Sequence, residues 1–148
     1  MNLIPIKEWY VRENVKEDKN YFYIFTDNAA RTSGDIFITE DSWYMRRWPH
    51  AKRGNSTQAV IRGLNNSYPI STMWASGIQW NDDLLHIFKT ILDREISDII
   101  LAFDIYKGCK YNNEMPFGDA NISKMKYVAP KCWEYLNEQL LKINIKNN

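Results

Sequence analysis

The chain has 148 residues, with 19 basic and 18 acidic side chains and a formal net charge of +1. That length suffices for one domain with its own core, and the balance of charge argues against a protein whose main work is to coat nucleic acid. No segment approaches the length of a membrane span, and Met1 to Tyr10 carries Pro5, Lys7 and Glu8 where a signal peptide needs an apolar run, so a cytoplasmic protein is expected.

Residues 1–20 read as an N-terminal extension or edge strand that turns charged at VRENVKEDKN, and 21–148 read as a single α/β domain. Tyr21 to Phe25 is aromatic and β-branched, the composition of a buried strand. It runs into Thr26, Asp27, Asn28, Arg31, Thr32, Ser33 and Gly34, a polar loop at the position where α/β folds place ligands. Small hydroxyl, amide and glycine residues let backbone approach a phosphate or sugar, and Arg31 adds a planar cationic fork. A solvated turn is the competing reading. Ile36 to Ile38 is a short apolar patch. Thr39 to Ser42 then enters a short helix through Trp43, Tyr44 and Trp48, and Pro49 ends it.

Asn55 or Ser56 caps a second expected helix through Thr57 to Arg62, stopped by Gly63. Tyr68 to Thr72 follows as a strand, which Pro69 places near a sheet edge. The clearest helix begins at Asn81 or Asp82. Its apolar residues Leu84, Phe88, Ile91, Leu92, Ile96, Ile99, Ile100 and Phe103 recur at spacings of three and four, and Gly108 is expected to close it. Cys109 to Asn112 reads as a strand before a loop with Pro and Gly. A last helix covers about Ala129 to Lys142, with Pro130 in its first turn and Trp133, Leu136, Leu140 and Leu141 on its apolar side. Strands alternating with helices imply one sheet flanked by helices.

Two further groups share the chemistry of the first loop. Gln58 and Arg62 lie four apart, on one face of the expected helix, and Arg62 abuts Gly63. Ser71 and Thr72 end the strand after it with two hydroxyls. Phe117, Gly118 and Asn121 lie in a later loop, where an amide and a glycine suit a phosphate and Phe117 can stack on a base. Each group borders a strand, so all are expected at one end of one sheet, lining one site. An Arg facing an empty pocket stays hydrated. Replacing Arg31 or Arg62 should then weaken ligand binding by about 1.5–3 kcal/mol with little effect on folding.

Catalytic and metal signals are missing from the pattern. His50 and His86 have no partner at metal spacing, Cys109 and Cys132 read as free thiols, and no serine sits in a nucleophile elbow. No metal, cofactor or catalytic residue is therefore assigned. Asp27 can act as a general base or organise its own loop through an Asx-turn. Trp43, Tyr44, Trp48, Trp74 and Trp80 sit in polar surroundings, where such rings cap a core, line a pocket or form an oligomer contact, including one between copies of this chain.

TDNAARTSG at 26–34, TQAVIRGLNNSYPIST at 57–72 and APKCWEYL at 129–136 resemble a family of small phage and bacterial proteins of undetermined activity. That layout is similar in turn to macro domains, which implies a macro-domain-like or Rossmann-like three-layer arrangement around an ADP-ribose-type ligand. MPFGDANIS has one glycine where a richer loop would wrap a diphosphate. The expectation is a protein that binds a nucleotide-like or ADP-ribose-like small molecule without converting it, as a phage-encoded sponge for an immune nucleotide signal. A hydrolase of such a ligand, with Asp27 or Asn28 positioning water, and a protein-binding inhibitor of a host defence system are the alternatives.

Overall fold

Eight residues, Tyr21–Asn28, form the strand β2, and six consecutive ones, Phe22 to Asp27, are buried. A strand buried on both faces belongs inside a parallel sheet covered by helices. The computed structural model, which describes residues 3–29, 56–74, 78–102, 104–112 and 124–146, places it so. β1 (Leu3–Ile6), β3 (Ser67–Met73) and β4 (Gly108–Asn112) join β2 in a parallel sheet of order β1-β4-β2-β3. β1 is the outer strand beside β4, so Leu3–Ile6 are part of the sheet. β3 is the opposite edge, where Pro69 costs the ladder least.

Alternation along β2 divides the core in two. Phe22 and Ile24 face helix α2 (Leu85–Ala102) and helix α4 (Pro130–Lys146), packing with Phe88, Ile91, Leu92, Ile99, Leu136 and Leu140. Tyr23 and Phe25 face helix α1 (Arg12–Glu17) and a 3-10 turn at Ala59–Ile61, packing with Tyr10, Val15, Ile61 and Leu64. A short helix α3 (Met125–Val128) precedes α4. The result is a three-layer α/β arrangement with helices on both faces of one parallel sheet.

Several local expectations need correction. The helix expected over 57–62 is a single 3-10 turn. Arg62 (φ −56°, ψ 136°) and Gly63 (φ 89°) then occupy the centre of a type II turn closed by Leu64 N–H to Ile61 O at 3.3 Å, so Gly63 is required by the turn. Gly108 opens β4 instead of closing α2. A Cβ there would meet the Tyr21 ring at 3.0 Å and Ile4 at 3.1 Å. On α4 the buried stripe runs through Cys132, Leu136, Leu140 and Ile143, which leaves Leu141 60% exposed. Ile100 lies one step off the stripe of α2 and is also exposed. The expected helix around Trp43, Tyr44 and Trp48, like His50 and Phe103, lies outside the described residues.

Candidate functional site

In a parallel sheet every strand ends at the same edge, so Thr26–Asn28, Ser71–Thr72 and Asn112 are brought to one side. Two features distinguish this edge. First, the 3-10 turn that is the next described element after β2 packs on the α1 face, whereas α3 and α4, the next described after β4, pack on the α2 face. Neighbouring strands followed by elements on opposite faces are the arrangement of a topological switch point. Second, the β2–β4 ladder stops at Ile24 and Tyr111. Beyond it the Tyr10 hydroxyl is wedged between the strands, accepting from Asn112 N–H at 2.9 Å and donating to Ile24 O at 2.5 Å. Burial pushes the Tyr10 phenol far above its ordinary range, which keeps it neutral and able to donate.

Successive peptide groups of a strand point to opposite sides. Tyr23 N–H bonds Asn66 O on the β3 side, so the groups of Ile24 and Thr26 face β4. Tyr10 takes the first of these. Gln58 takes the second, its Oε1 accepting from Thr26 N–H at 3.3 Å. Gln58 thus lies where β4 would continue if the strands stayed together. It is 1% exposed, and its Nε2 is a buried donor that meets no acceptor among the described residues.

Next along β2 is an ion pair. Arg62 donates through Nε to Asp27 Oδ2 at 2.7 Å and through Nη2 to Oδ1 at 2.5 Å, and Oδ1 also accepts Asn28 N–H at 2.8 Å. Both residues are buried. This corrects the expectation of a hydrated Arg62 lining an empty pocket: its guanidinium is spent on Asp27. Gln58 and Arg62 do reach the same place, but by way of a 3-10 turn and a type II turn.

On the β3 side, the register shifts between Asp27 and Asn28, so that Asp27 pairs with Ser71 and Asn28 with Met73. Thr72 is the extra residue of this bulge, a device that re-aims a strand end. Ser71 is fully buried and does not face a ligand directly. Its N–H and hydroxyl both go to the Glu95 carboxylate, at 3.1 and 2.8 Å, and its carbonyl accepts Trp80 Nε1–H at 3.0 Å. Trp80 packs edge-on against Trp74 and Phe88, so that of the five rings singled out it belongs to the core.

The other sequence-selected residues divide clearly. Gly63 lies apart, lining a cleft with residues that precede β2, β3 and β4, at the opposite end of the sheet. Arg31, Thr32, Ser33, Gly34, Phe117, Gly118 and Asn121 lie outside the described residues. Three residues of the edge escaped the sequence reading. Glu95 had a signal, since it occupies a position of the buried stripe between Ile91 and Ile99, where a charge must have a partner. Tyr10 and Asn112, 102 residues apart, had none.

Among the described residues no group of His, Cys, Asp and Glu side chains is arranged to hold a metal ion, and no helix is long and apolar enough to cross a membrane. Fold and edge together define a parallel α/β domain with buried polar groups gathered at a switch point. Residues 5–139 match the model of a family of unknown function (DUF7831), and the chain belongs to that family. No curated protein and no solved structure matches it.

Proposed function

We propose that this protein binds a nucleotide-like or ADP-ribose-like small molecule at the carboxyl ends of β2 and β4, and holds it unchanged. The observation that carries the reading is the Gln58 amide. A buried donor without an acceptor is costly, by about 1–3 kcal/mol, and a ligand oxygen placed there would remove the cost. The sequence supplies the ligand class: hydroxyl, amide and glycine residues follow Asn28, together with Arg31, in the pattern that suits phosphate and sugar.

Binding without turnover is supported by the state of Asp27. Both of its oxygens accept from Arg62, and one also accepts Asn28 N–H. Three bonds tie that carboxylate into the edge's own network, which favours an organising role over that of a base presented to water. A phage protein of this kind would act as a sponge that withdraws an immune nucleotide signal.

Small molecules released by heat from the purified protein, identified by mass spectrometry, test the proposal. The expected result is one nucleotide-like compound, recovered intact at close to one per chain. Gln58→Glu keeps the oxygen that accepts Thr26 N–H and removes the donor, so it should lower the affinity for that compound by about tenfold or more. Release of nothing, together with no binding from a nucleotide and ADP-ribose panel, would overturn the reading. A product formed in excess over protein would move the chain to the hydrolases.

A further inference from the structure

The opposite end of the sheet carries a second cleft, of about 640 Å3, which is within the ~300–1,000 Å3 range of small-molecule sites. One wall is α1 and the turn after it, with Arg12, Lys16 and Lys19. The other is the segment from Gly63 to Asn66 that leads into β3. Two side chains clamp the walls together. Arg12 Nη1 donates to Val60 O and Arg62 O, both at 2.8 Å. From the other wall, Asn66 Nδ2 donates to Val15 O, Asp18 O and Tyr21 O at 2.8, 3.0 and 3.3 Å. The cleft is therefore shaped before any ligand arrives.

Its charge is one-sided. Against three cations stands Asp18, and that carboxylate is already taken by the Tyr23 hydroxyl at 2.6 Å and by the N–H groups of Asn20 and Tyr21. Adjoining the cleft is a hollow of about 410 Å3, largely apolar, walled by Phe22, Tyr68, Leu101 and Ala102. The two spaces share Asn65, Asn66, Ile105 and Tyr106, and the bridge between two of these, Tyr106 Oη to Asn65 O, is long at 3.5 Å. Leu101 and Ile105 are 66% and 76% exposed on this rim. The acid of the hollow, Asp98, accepts the Tyr68 hydroxyl on its wall and would turn an anion toward the cationic side.

We infer that this end of the sheet is a second binding site, for a phosphate that carries an aromatic ring, with the ring in the hollow beside Tyr106 and the phosphate among Arg12, Lys16 and Lys19. Neither half alone predicts such a ligand. A cationic cleft by itself would take any anion, and exposed apolar residues by themselves are ordinary surface.

Calorimetric titration of the full chain with AMP, adenosine and inorganic phosphate separates the parts. AMP should bind at least about tenfold more tightly than either fragment, because it fills both spaces, and its affinity should fall with added salt, because the lysines are exposed. The pair Lys16→Ala and Lys19→Ala should weaken AMP about tenfold, and Ile105→Asp should weaken it on the ring side. These residues are exposed, so circular dichroism should show the variants folded. Gln58→Glu, at the far edge, should leave this binding unchanged. Absence of AMP binding, AMP no tighter than phosphate, or a loss that follows Gln58→Glu but not the lysine and Ile105 variants would each overturn the second site. Binding at the first site is read separately, as the part of the affinity that Gln58→Glu removes and the lysine and Ile105 variants leave.

Discussion

Removal of Arg62 tests how the carboxyl edge is built. Arg62→Met replaces a guanidinium that makes two hydrogen bonds to Asp27, at 2.5 and 2.7 Å, with an apolar side chain of similar length. Arg62 and Asp27 are 7% and 6% exposed, so water cannot take over the lost partner. Exposed pairs are worth ~0–1 kcal/mol, but breaking a buried pair strands a charge and costs about 3–5 kcal/mol. Against a typical domain stability of ~5–15 kcal/mol, this is about a fifth of the total or more.

The cost comes from the stranded carboxylate, so it should be relieved by removing that charge. Asp27→Asn in the Arg62→Met background keeps an acceptor for Asn28 N–H and should recover at least about half of the loss, because two neutral groups replace a buried ion. Urea unfolding followed by tryptophan fluorescence, with Trp80 buried in the core, reads each corner of the cycle. An unchanged dependence on urea concentration confirms that the native state is compared with the same unfolded state. The reasoning fails if Arg62→Met costs less than about 1 kcal/mol, the size of an exposed pair, or if Asp27→Asn adds its own full cost to that of Arg62→Met.

Tyr10→Phe should cost about 1–3 kcal/mol in the same unfolding assay, because it strands Asn112 N–H and Ile24 O in the buried gap between β2 and β4; a change near zero would mean that the strands close without the hydroxyl. Cys109 and Cys132 should both resist a disulfide reagent such as dithionitrobenzoate in the folded protein and react after denaturation. Both are buried, with burial raising the Cys109 thiol well above its usual range and pushing Cys132, helped by Asp82, up to about 12; rapid native labelling would contradict this. Burial tends to raise the Asp18 carboxyl. The Tyr23 hydroxyl, the N–H groups of Asn20 and Tyr21 and nearby Lys110 outweigh it, so the group is held below its ordinary 3.8. A depressed folded-state value stabilises the fold above 3.8, and that contribution is lost as pH falls through the folded value. The stability gap between wild type and Asp18→Asn should therefore be level at mildly acidic pH and shrink in stronger acid; a gap independent of pH would refute the assignment.

What was legible in the sequence is what local rules govern. The run from Tyr21 to Phe25 gave the central strand, and Pro69 gave the edge strand, because a missing N–H is tolerated only where no neighbour needs it. Asn81 was readable as the cap ahead of α2: its side chain accepts Asp83 N–H at 3.0 Å. Pro130 was readable as the first residue of α4. What caps that helix was not. Asp82 Oδ1 accepts Lys131 N–H at 3.0 Å from 49 residues away, and no pattern in either segment announces it. The candidate site shows the same division. The polar residues at the ends of β2 and β3 were visible, but their pairing was not, so Arg62 and Asp27 looked like two free groups where the fold makes them one. Gly63 misled for a related reason: its type II turn reverses the chain and carries it to the other end of the sheet.

The two proposed sites would meet the demands of binding in different ways. At the carboxyl edge the polar groups are withdrawn from water and satisfied mainly by one another: Arg62 by Asp27, Ser71 by Glu95, and the parted backbone by Tyr10 and Gln58. Groups fixed in this way cannot rearrange to suit many ligands, so under the proposed reading recognition would fall to a donor left over by the network, such as Gln58 Nε2. A single buried donor selects against compounds that leave it unpaired far more strongly than an exposed one, because water offers no substitute. At the other end Lys16 and Lys19 remain hydrated, and a ligand there gains attraction without strict geometry. If both proposed sites bind, discrimination between closely related compounds would fall to the edge that holds Gln58, and fast, salt-sensitive capture of anions to the edge that holds the lysines.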